Sequence, residues 1–69
     1  MLIVDQIKIT DALIQQRLNF KDLERRSGLA SSTISRLALK GGNIRLDTLG
    51  RIADALAVDY RSLIVKEVS

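Results

Sequence analysis

Four hydroxyl side chains, Ser31, Ser32, Thr33 and Ser35, lie between a lone glycine, Gly28, and an arginine, Arg36. The stretch Arg26 to Leu37 reads RSGLASSTISRL and holds no acid. Ser and Thr are mediocre helix formers, because their side chains compete for backbone hydrogen bonds. Yet Ile34 and Leu37 stand at helical spacing here. Short hydroxyls let a helix approach a polar surface closely, and they both donate and accept hydrogen bonds. A guanidinium adds a planar fork that suits guanine O6 and N7 or a phosphate. That chemistry is recognition of an anionic surface.

Bond-making chemistry is poorly provided for. The chain has no His and no Cys, so the commonest general base and the usual soft metal ligands are missing. It has no Gly-rich phosphate loop. Asp5, Asp11, Asp54 and Asp59 read as caps and surface charge. The expectation is no enzyme, no metal, no cofactor and no small-molecule ligand.

The net charge of +3 is modest, but its placement is uneven. Between residues 17 and 45 there are seven bases (Arg17, Lys21, Arg25, Arg26, Arg36, Lys40, Arg45) and two acids (Asp22, Glu24). The remainder carries an excess of acid. The basic segment is also the hydroxyl-rich one, and a polyanion such as nucleic acid wants both.

The elements that must position these groups follow from periodicity. Leu2, Ile3 and Val4 are apolar and largely β-branched, a short strand. Asp5 caps a helix from about Gln6 to Gln16, with Ile9 and Leu13 on one face. A rival reading extends the strand to Ile9 and starts the helix at Thr10. Asn19, with Asp22 three residues on, caps a helix from Phe20 to about Ser27. Gly28 ends it in a positive-φ turn. Ala30 or Ser31 opens the next helix, which ends near Leu39. Residues 40–43 (KGGN) break the chain. Leu46, Leu49, Ile52, Ala53 and Leu56 then mark an amphipathic helix. Asp59 caps a last short helix. LIVKEV, residues 63–68, is its end or a second strand.

Two short helices joined around a glycine make a helix-turn-helix, spanning about residues 20–39. Leu23, Leu29, Ile34 and Leu37 face inward, and Gly28 permits the tight turn. Ala30, Ser31, Ser32, Thr33, Ser35 and Arg36 are left outside the core. In such a unit the second helix, here 31–39, enters the major groove of duplex DNA.

From about Leu13 to Ile64 the chain resembles the Cro and lambda-repressor (XRE-like) helix-turn-helix family. Leu23, Gly28, Leu29 and the Ile34-Ser35 pair fill the family's pattern, and IADALAVDYRSL is similar to its last two helices. The resemblance implies an all-α, compact five-helix fold over residues 1–69 that binds double-stranded operator DNA, usually as a homodimer, and acts as a transcriptional repressor in a bacterium or phage. It implies that Ser31, Ser32 and Arg36 read bases, with Thr33 and Ala30 beside them. It implies phosphate contacts at Asn19 and along Lys40, Gly41 and Asn43. Lys21, Arg26, Ser35 and Arg45 join this set because they carry donors in the basic segment.

Three departures from the family stand out. Phe20 replaces a frequent Gln and is expected to pack into the core. Glu24 replaces a small residue and needs water or a cation. Leu13 and Ala38 replace an Arg–Glu pair between the first and third helices. The loss of both charges together leaves an apolar contact.

A chain of 69 residues buries a small core, so a partner subunit is a plausible staple. Leu63, Ile64, Val65 and Val68, with Leu2 and Val4, are the expected dimer surface, and the terminal strands can pair as a small ribbon beside the helices. No apolar run approaches the ~20 residues of a membrane span. A cytoplasmic protein is expected. The competing reading is an antitoxin-like or inhibitor-like module whose main partner is another protein.

Overall fold

The structure, a computed structural model, describes residues 2–65. The element order is β1 (Leu2–Val4), α1 (Gln6–Gln16), α2 (Phe20–Ser27), α3 (Ser31–Leu39), β2 (Gly42–Ile44), α4 (Leu46–Leu56) and a 3-10 turn (Tyr60–Ser62). Ile9, Leu13, Leu23, Ile34, Leu37, Leu49, Ile52, Leu56 and Leu63 form one buried cluster, with Val4 and Ile44 from the strands. Burial of this kind stabilises by roughly 1.5–3 kcal/mol per large side chain.

Local chemistry explains the helix ends. The Asp5 carboxylate accepts the Ile7 N–H at 2.9 Å and starts α1 at Gln6. This removes the rival reading that carried the strand to Ile9. Asn19 and Asp22 form a capping box at the head of α2. Gly28 ends α2 at φ 73°, and its N–H donates to the Glu24 carbonyl at 2.9 Å. α1 and α4 end differently, on Arg17 (φ 57°) and Ala57 (φ 55°) in the left-handed region. There the N–H of Leu18 donates to the Leu13 carbonyl, and that of Val58 to the Ala53 carbonyl. These bonds offset the strain of a side chain at positive φ.

The described residues hold four α-helices rather than five. The segment expected to be a fifth helix is a single 3-10 turn. The Asp59 carboxylate accepts the Arg61 N–H at 2.9 Å, and the Ser62 hydroxyl donates to the Asp59 carbonyl at 2.6 Å. The chain then leaves at once, because Leu63 is buried and Ile64 bridges to Val4.

The fold is also not purely α. β1 pairs antiparallel with β2, Leu2 opposite Ile44 and Val4 opposite Gly42. The main partner of the first strand is therefore internal, not the C-terminus. The C-terminal segment adds to the other edge of β1: Asp5 N–H donates to the Leu63 carbonyl at 2.9 Å, and Val65 N–H to the Ile3 carbonyl at 2.8 Å. Most of the expected VKEV strand lies outside the described residues.

Leu13 and Ala38 are both buried in the shared core. The Thr10 hydroxyl ties the same two helices together, lying 3.0 Å from the Gln6 carbonyl and 3.3 Å from the Ala38 carbonyl. Phe20 does not join the core; it is 37 % exposed at the first position of α2. Glu24 is only partly covered, so its charge keeps access to water.

Candidate nucleic-acid interface

The turn between α2 and α3 is built from three residues. Gly28 takes the left-handed conformation, Leu29 is half-buried, and Ala30 is extended at φ −67°, ψ 149°. The Ser27 hydroxyl, buried beneath the turn, accepts the Leu29 N–H at 3.3 Å. Leu23, Ile34 and Leu37, each 1 % exposed, clamp α2 against α3.

This packing decides which face of α3 remains outside. Ala30, Ser31, Ser32 and Arg36 are exposed, and Thr33 and Ser35 are partly so. Ser32 and Arg36 are four residues apart, hence stacked on one helical face. No side chain caps α3, so side chains leave its first N–H groups to other acceptors. The Arg36 Nη1 donates to the Asn43 carbonyl at 3.4 Å.

Thr33, Arg36, Asn43 and Arg45 line one open cleft of ≈ 1090 Å³, together with Leu2, Ile44, Leu46, Asp47 and Thr48. Residues from α3 and from the connection to α4 thus meet on one side of the molecule. Lys21 lies elsewhere, in a shallow cleft at the turn with Glu24, Arg25, Gly28 and Leu29. Asn19, Lys21, Arg26, Lys40, Asn43 and Arg45 are all exposed. Gly41 is buried, and its N–H already points at the Leu37 and Arg36 carbonyls at 3.0 and 3.2 Å. Its backbone donor is therefore occupied in closing α3.

Of the expected dimer residues, Val4 and Leu63 are 2 % and 1 % exposed and belong to the chain's own core. Leu2 and Ile64 are partly buried against that core, and Val65 is 43 % exposed. Val68 lies outside the described residues.

The basic side chains of α2, α3 and the segment that follows α3 are mostly free to meet an anion. Among the described residues, Arg26, Arg36, Lys21 and Lys40 form no ion pair. Arg45 meets Asp47 at 3.3 Å, and Arg25 meets Asp22 at 2.6 Å. Both are exposed pairs, worth about 0–1 kcal/mol and readily exchanged for a phosphate. The Asn19 backbone N–H, assisted by Arg25, holds the Asp22 carboxyl below the usual carboxylate range. That carboxylate stays ionised, with Arg25 shielding it.

Residues 8–65 match the family described as Cro/C1-type HTH DNA-binding domain. The chain belongs to this Cro/C1-type family. No curated protein and no solved structure was found to match it. A Cro/C1-type domain binds DNA. No helix among the described residues is long and apolar enough to cross a membrane.

Three residues placed at this candidate interface were not singled out for it in the sequence. Ser27 was signalled only by being a Ser before a helix-ending Gly. Arg51, from α4, lies beside the turn: a Cβ added to Gly28 would sit 3.6 Å from its Nη1. Leu46 is 76 % exposed in the cleft beside Arg36. Both belong to the regular pattern of α4, where an outward Arg or a first-turn Leu looks ordinary.

Proposed function

We propose that the chain is a transcriptional repressor that binds a two-fold symmetric operator as a homodimer, with α3 in the major groove. The observation that supports this most is the division of α3: Ile34 and Leu37 are buried, while Ser32 and Arg36 are exposed four residues apart on one face, with exposed Ser31 beside them at the helix start. In this reading Ser31, Ser32 and Arg36 read bases, with Thr33 and Ala30 alongside. Asn19, Lys21, Arg26, Ser35, Lys40, Asn43 and Arg45 follow the phosphates. Gly41 contributes only by closing α3. Repression follows from occupying the duplex against other proteins, and the cytoplasm is the place of action.

A dimer of this kind sets two α3 helices about 34 Å apart, one turn of DNA. Ile3 of β1 and Val65, whose N–H bonds the Ile3 carbonyl, are 40 % and 43 % exposed and offer an apolar surface for a partner subunit. Val4 and Leu63 support that surface from beneath. Selection of binding sites from random duplex DNA, followed by a salt titration, tests the reading. A two-fold symmetric consensus, with affinity falling steeply in salt, is expected. Equal binding to selected and random duplexes would contradict it.

A second reading, a protein-binding module, draws on one observation. Ile7, Ile14 and Leu39 are 70 %, 69 % and 65 % exposed along a groove between α1 and α3. A tight protein complex that Ile14→Lys abolishes, in a chain showing no DNA consensus, would favour it.

A further inference from the structure

We propose that the N-terminal strand β1 positions Arg36 for base recognition, acting through the backbone carbonyl of Asn43. This rests on the reading of Arg36 as a base-contacting residue. Asn43 occupies the middle of β2, opposite Ile3 of β1. Its carbonyl accepts the Arg36 Nη1 at 3.4 Å. The bond is long and exposed, so it biases the guanidinium without locking it. One engaged N–H leaves the rest of Arg36's five donors for a guanine.

Ile44 anchors one end of β2 in the core, but the rest of β2 has little of its own to hold it in place. Its sequence, Gly-Asn-Ile, is poor in strand formers, and Gly42 sits at φ 104°. β1 supplies the constraint. The Ile3 carbonyl and the Asp5 N–H face the C-terminal segment. Successive backbone groups of a strand alternate sides, so Leu2 and Val4 direct theirs at β2. The approach is close: a Cβ on Gly41 would lie 2.7 Å from the Val4 carbonyl oxygen. Leu2 also lines the cleft that holds Thr33, Arg36 and Asn43. β1 thus lies against the strand that carries the Asn43 carbonyl, and the register of β1 sets where that carbonyl stands. Ile3 and Gly42 are positioning residues in this scheme.

The test uses the selected duplex and a copy altered at the base pair whose preference depends on Arg36. The readout is the ratio of the two affinities, measured for each folded variant. Arg36→Ala should lower that ratio by roughly 5–150-fold, the range of one bidentate base contact. Gly42→Ala strains β2 without a clash, since nothing lies within 4 Å of the added Cβ. Ile3→Pro disturbs β1 at a partly exposed position. Each should lower the ratio by about three- to tenfold, a partial loss of the same contact. In the Arg36→Ala background each should change it by less than about twofold, as expected when both act through one contact.

Unchanged ratios in the folded variants would overturn the proposal. So would equal losses with and without Arg36. On the unaltered protein, NMR should show slower rotation of the Arg36 guanidinium than of Arg26, and equal averaging would also count against it. If the wild type shows no base preference that depends on Arg36, the DNA reading of Arg36 falls, and this proposal with it. If that preference exists and both variants keep it, only the role of the strand falls.

Discussion

Asn19 and Asp22 each bond the other's backbone: Asp22 N–H donates to Asn19 Oδ1 at 2.8 Å, and Asn19 N–H to Asp22 Oδ2 at 3.1 Å. The pair fixes the first turn of α2, the helix against which α3 is clamped. Asn19→Ala should cost about 1 kcal/mol in urea unfolding. The Asp22 carboxyl is held below its ordinary value. Its contribution is therefore complete above the ordinary carboxylate range and is lost as pH falls through the lowered value. The gap in melting temperature between wild type and Asp22→Ala should close in acid. A gap that stays constant down to pH ~2 would contradict this linkage.

Left-handed positions give two opposite signs. Gly41→Ala meets both positive φ and the Val4 carbonyl, so it should destabilise by about 1–3 kcal/mol. Ala57 is exposed at φ 55°. A non-glycine residue there costs roughly 1–2 kcal/mol, and glycine costs about 0.5–1 kcal/mol in chain entropy. Ala57→Gly should therefore raise stability by up to about 1.5 kcal/mol, the difference of those two effects. Denaturant melts of both variants check the signs.

Leu13 and Ala38 are 4 % exposed each, on helices that pack together. Ala38→Glu buries an unpaired acid and should cost about 3–5 kcal/mol. Adding Leu13→Arg should recover much of that loss. Strictly additive costs in the double-mutant cycle would mean that the two positions do not share a contact.

How legible the fold was depended on whether the cause of each element was local. The capping box, the Asp5 cap and the Gly28 turn are decided by side chains within a few residues, and the helices begin and end where those residues stand. β2 was hidden because Gly42 and Asn43 look like a turn; only pairing with β1, some forty residues away in sequence, makes them a strand. The ends of α1 and α4 carry Arg17 and Ala57 where glycine is the usual signal. The fifth helix failed because burial of Leu63 and the bridge from Ile64 draw the chain away after one turn. Phe20 seemed too large to leave exposed, yet its place at the head of α2 faces away from the core. In the candidate site, the hydroxyl row of α3 was readable from spacing. The Arg36 to Asn43 bond was not, because it depends on that unforeseen strand.

The central claim is that α3 reads a duplex through Arg36 while Lys40 only holds its backbone. Affinities of Arg36→Ala and Lys40→Ala for the selected site, its single-base-pair variants and random duplex, over a range of salt, test it most directly. Arg36→Ala should lose roughly 1–3 kcal/mol on the selected site and flatten the preference at one base pair. Lys40→Ala should weaken selected and random duplex equally and lower the salt slope by about one unit. Identical behaviour of the two variants would contradict the assignment.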